Sequence, residues 1–158
     1  MKHGQDIADY RLRRSLPYLF NRVGVRFGEV FETETRKLGL TVAMYRVLAV
    51  LAEQDEQSLG TLAEAVSTEI STLSRMIGTL VRKGMVARTR REDDARAVSI
   101  RLTEKGRAAA LSLIPRAVRV EQCVERSVGT AALAKLRDQL DAIYRDLDDL
   151  KREFGMPL

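Results

Sequence analysis

Apolar positions along this chain fall into long runs of helical spacing, interrupted once by strict alternation. Leu12, Leu16, Leu19, Phe20, Val23, Phe27, Val30 and Phe31 recur at steps of three and four, which predicts one long helix, or two, over 5–37. Pro17 has no backbone donor, so a kink or restart is expected near 15–17. Gly39 suits a helix C-terminus and Thr41 the N-cap of a second helix over about 42–53, with Met44, Val47, Leu48, Val50 and Leu51 largely buried. Residues 54–58 read as a polar connection, and Ser58 can cap a short helix over about 59–66. After a Ser67-Thr68 turn, a helix over about 69–83 carries Leu73, Met76, Ile77 and Leu80 on one face and stops at Gly84.

The period then changes to two. Val98, Ile100 and Leu102 alternate with Ser99 and Arg101, a strand signature, and 85–91 makes a plausible partner strand. Glu92, Asp93, Asp94 and Ala95 form the tip of this hairpin, flanked by Arg88, Arg90, Arg91 and Arg96. Thr103 can cap a long fifth helix to about 126, kinked at Pro115, and Leu133, Leu136, Leu140, Ile143, Leu147 and Leu150 mark a last helix over about 131–153.

Charge sharpens this pattern. The net charge is +5, and residues 82–107 alone hold nine Lys/Arg against four Asp/Glu, also +5. Such a patch attracts polyanions, because each cation that neutralises a phosphate releases a counterion; the same pattern also suits a solvated hairpin. With 45% apolar and 31% charged residues, the chain reads as globular, with no membrane-spanning stretch and no signal peptide at its start, and a cytoplasmic setting is expected. One cysteine, Cys123, and one histidine, His3, leave no internal disulfide, no zinc cluster and few groups for catalysis, so no cofactor, metal or catalytic residue is expected.

A helix-turn-helix followed by a basic hairpin is the winged-helix arrangement. The second helix of such a pair enters the major groove N-terminal end first, and Ser71, Thr72, Ser74 and Arg75 are placed to meet bases and phosphates there. The hairpin tip is narrow enough for an adjacent minor groove, where arginine is favoured electrostatically.

The sequence resembles the MarR family of bacterial transcriptional regulators. The resemblance runs through Leu62-Ala63-Glu64, Ser71-Thr72-Leu73-Ser74-Arg75-Met76-Ile77 and Leu80-Val81-Arg82-Lys83-Gly84-Met85-Val86. It continues through Arg88, Asp93-Asp94-Ala95-Arg96-Ala97 and Leu102-Thr103-Glu104-Lys105-Gly106. Ile70 and Thr68 depart from it, the first position being more often polar in the family and the second more often apolar. The resemblance implies a mainly α fold with a small two- to three-stranded β wing, a winged helix-turn-helix lobe over 41–106, and a helical dimerisation lobe from 1–40 and 107–158. It implies a homodimer on a pseudo-palindromic operator in double-stranded DNA, acting as a ligand-responsive repressor. Ser71, Thr72, Ser74 and Arg75 match recognition-helix positions, and Asp94 and Arg96 match a wing pair in which the acid orients the arginine. It also implies a small aromatic or apolar anionic effector, for which Tyr18, Phe27, Met44, Tyr45 and Arg46 on the first two helices are candidates. A winged-helix module that binds a protein, or a regulator that senses redox state through Cys123, are the alternatives; a lone cysteine is more often a buried small hydrophobe.

Overall fold

The computed structural model describes residues 10–155 except 91–97, with only the backbone at Arg90. A 3-10 turn, Leu12–Arg14, precedes helix α1 (Leu16–Lys37), and the restart expected at Pro17 occurs, with proline in the first helical turn where its missing N–H costs nothing. Next come α2 (Val42–Glu53), β1 (Gln57–Ser58), α3 (Leu59–Ala65), α4 (Ile70–Arg82), β2 (Val86–Arg90), β3 (Val98–Leu102), α5 (Glu104–Ser112), α6 (Ile114–Val128) and α7 (Thr130–Glu153).

Three predicted caps are formed. The hydroxyls of Thr41, Ser58 and Thr103 accept from the amides of Met44 (3.1 Å), Thr61 (3.0 Å) and Gly106 (3.1 Å). Two expectations change. The polar connection contains β1, which pairs antiparallel to β3 through Gln57↔Ile100 and Ser58↔Ser99, so the sheet has three strands in the order β1-β3-β2. The long fifth helix, expected to kink at Pro115, is two helices broken at Leu113: Pro115 has no amide to bond the carbonyl four residues earlier, and it sits instead in the first turn of α6, where none is needed.

The chain divides into two compact units, one through Ile114 and the other from Pro115. The first has a core of Val47, Leu48 and Leu51 from α2, Leu62 from α3, and Leu73, Ile77 and Leu80 from α4, closed by Val86 and Ile100 of the sheet. Met76, expected in that core, is only partly buried at its edge. In the second unit, the Arg137 guanidinium bonds the Glu121 carboxylate and Thr130 donates to Glu125 at 2.7 Å, joining α6 to α7 beside the turn at Gly129. Leu133 is buried there, whereas Leu136, Leu140, Leu147 and Leu150 are exposed.

Candidate nucleic-acid interface

Helices α3 and α4 are joined by a tight turn. Ser67 takes left-handed geometry (φ 50°), and the amides of Ser67 and Thr68 bond the carbonyls of Glu64 (3.0 Å) and Ala63 (2.9 Å), closing α3. Because α4 buries Leu73, Ile77 and Leu80 completely, helical geometry turns Ser71, Thr72 and Arg75 to solvent, with Ser74 half-buried on the flank. The Arg75 Nε donates to the Ser71 carbonyl at 3.3 Å, which lays the guanidinium along this face. The residue at the start of α4, Glu69, makes no side-chain capping bond.

At the far end α4 is fastened. The turn at Gly84 has φ 68°, and the amides of Gly84 and Met85 bond the carbonyls of Val81 (2.8 Å) and Leu80 (3.0 Å), a turn that favours glycine. The start of α5 then locks onto it. Thr103 donates its hydroxyl to the Gly84 carbonyl (2.7 Å) and its amide to that of Met85 (3.1 Å), and Lys105 Nζ donates to the Lys83 carbonyl (2.8 Å).

Strands β2 and β3 pair from Val86↔Leu102 to Arg90↔Val98, with Arg88 opposite Ile100. Arg88 is exposed, and with Leu59, Ser74, Thr89, Val98 and Ile100 it lines a cleft of about 330 Å³ between α4 and the hairpin. Arg91, Asp94 and Arg96 lie outside the described residues, and of Arg90 only the strand position is described.

Sequence reasoning missed the group that holds the hairpin in place. Asp55 accepts from the amides of Glu56 (3.0 Å) and Leu102 (2.9 Å) and pairs with Arg107 (3.0 Å). Glu56, at φ 62°, accepts from the buried Ser99 hydroxyl (3.2 Å), which also meets the Thr89 hydroxyl at 2.8 Å across the strands. A signal existed: an acid pair just past the negative end of α2 is unfavourable without cationic or donor partners.

The five effector candidates have different surroundings on α1 and α2. The Tyr45 ring stacks on Phe31 of α1 (centroids 5.9 Å apart), and burial raises its phenol above the usual pKa. The Arg22 guanidinium sits 5.6 Å above the Tyr18 ring, Phe27 and Arg46 are exposed, and Met44 is half-buried against the core. A second cleft, beside Glu32, Thr35, Leu40 and Thr41, touches none of the five. Cys123, expected to be buried, is exposed on α6.

Tight turn, polar-faced second helix and sheet with a basic hairpin together define a winged helix-turn-helix protein. The MarR family model matches residues 40–98. The transcriptional repressor IacR of Pseudomonas putida is 26% identical over 153 residues, covering 94% of this chain and 89% of IacR. The crystal structure of a MarR-family transcriptional regulator from Silicibacter pomeroyi superposes with a TM-score of 0.73 at 31% identity, over 88% of this chain and 97% of that one. BpsR of Bordetella bronchiseptica, whose DNA binding is regulated by 6-hydroxynicotinic acid, shares the fold (TM-score 0.75, 24% identity, 85% and 96% covered). The chain belongs to the MarR family of transcriptional regulators. Among the described residues, no helix is long and apolar enough to cross a membrane.

Proposed function

We propose that the protein is a cytoplasmic, non-enzymatic repressor that binds a pseudo-palindromic DNA operator as a homodimer and is released by a small aromatic or apolar anion. The observation that carries this reading is the solvent-facing side of α4, with Ser71, Thr72 and Arg75 exposed on it and Arg88 exposed on the adjoining strand. In this reading α4 lies in the major groove, Ser71, Thr72, Ser74 and Arg75 choose sequence, Arg88, Arg90 and Arg91 hold phosphates, and Asp94 steers Arg96 into the minor groove. Residues 41–106 form the DNA lobe, and 1–40 with 107–158 the dimerisation lobe. Exposed apolar side chains support a partner copy: Leu16, Phe20, Val23 and Phe27 on α1, and Leu136, Leu140, Leu147 and Leu150 on α7.

For the effector, the five α1 and α2 candidates supply aromatic surface and one cation, while the cleft beside Arg88 supplies an apolar slot with a cation at its edge. Regulation of BpsR by an aromatic acid supports an effector of that chemistry. A ligand shifts an equilibrium only by binding one state better, so an anion beside Arg88 would act by competing with phosphate.

Anisotropy titration with DNA from upstream of the protein's own gene, across a salt series, tests the proposal. Tight binding is expected, with log K falling by about 0.9 per phosphate neutralised for each unit of log salt. Aromatic carboxylates added to the complex should release the duplex, with Arg88→Ala and Tyr45→Ala separating the two candidate sites. Salt-independent or absent binding to every duplex overturns the reading.

A further inference from the structure

The first residue of α4 is apolar and open. Ile70 exposes 55% of its surface, more than any other large apolar side chain among the described residues between 42 and 113. It continues the stripe of Leu73, Ile77 and Leu80, but the core ends at Leu73 and leaves Ile70 past its edge. Helical Cα–Cβ bonds tilt toward the N-terminus, so this side chain leans forward, toward whatever the helix end approaches.

The neighbours narrow what that is. Ser71 and Thr72 beside it are exposed and polar, and Glu69 before it is exposed and gives no capping bond. A carboxylate repels phosphates, which directs this corner of the helix toward base edges rather than the backbone. Isoleucine cannot hydrogen-bond to phosphate, sugar or base. In the major groove, one base presents an apolar group, the C5-methyl of thymine. Resting on the placement of α4 in the major groove, we propose that Ile70 is a base-reading residue that packs on a thymine methyl within each operator half-site.

The test uses full-length protein and a duplex that the wild type selects from a randomised library. Each thymine is replaced singly by deoxyuridine, which removes the methyl and keeps the hydrogen-bonding edge. One position per half-site should weaken wild-type binding about fourfold, the worth of one buried methyl. Ile70→Ala should bind the thymine and uracil duplexes equally, whereas Ile70→Val should still prefer thymine. A flat uracil scan in the wild type, or a methyl preference of the same size in Ile70→Ala, overturns the assignment of Ile70 while leaving α4 in the groove. Failure to select any duplex removes the DNA reading beneath it as well.

Discussion

At position 106 the chain has no room for a methyl group. A Cβ there would overlap the Met85 carbonyl oxygen, in the turn that ends α4. Gly106→Ala is therefore expected to destabilise the fold by about 1–3 kcal/mol through overpacking, read as a lower urea midpoint. The glycine was visible in the sequence as part of Leu102-Thr103-Glu104-Lys105-Gly106. Its reason was not, because the atom it avoids lies twenty-one positions earlier in the chain. Ser71 and Thr72 show the opposite case. They carry no core contact, so Ser71→Ala and Thr72→Val should leave stability within about 0.5 kcal/mol of wild type. The same substitutions should relax base preference by about 1–3 kcal/mol per lost contact, measured as the ratio of operator to random-duplex affinity. A uniform loss on both duplexes would count against base reading.

Among the elements, periodicity and caps made α2, α3, α4, the β2–β3 hairpin and α7 legible to within a residue or two. What failed was non-local. Two residues of β1 carry no pattern, and they become a strand because β3 offers them a free edge. Pro115 marked a kink between α5 and α6, but apolar spacing continues across it and hid that the kink is a full break. The Asp55 network is likewise beyond local reading, since it joins the end of α2 to the end of β3 and to Arg107. Asp55→Ala leaves the Leu102 amide without its acceptor and Arg107 without its ion partner. A loss of about 1–3 kcal/mol is expected, with faster hydrogen exchange at Leu102 and Ile100. Asp55→Asn should cost less, because Oδ1 still accepts from both amides and the Arg107 pair is partly exposed.

For the whole molecule, the sequence revealed most about charge and least about what lies against the long helices. The apolar spacing on α1 and α7 implies burial, yet many of those side chains are exposed in a single chain. Association with a second copy is expected to cover them, so the thermal midpoint should rise with protein concentration. Leu140→Arg should give monomers by sedimentation, retain helicity, and lose affinity for a two-half-site duplex more than for a single half-site. The anchoring of α4 has its own consequence. Thr103, Lys105 and the Gly84 turn pin its C-terminal end, while its N-terminal end carries no cap. Leu73 seats the first half of the helix in the core, so only small tilts about the pinned end are open to it, and within them it behaves as a pointer. At 1.5 Å per residue its thirteen residues span about 20 Å, so a tilt of about 5° at the pin swings Ile70 by roughly 1.7 Å. That travel is enough to part a side chain from a methyl group it touches, so the ability to discriminate sequence can be lost while the fold of the lobe hardly changes.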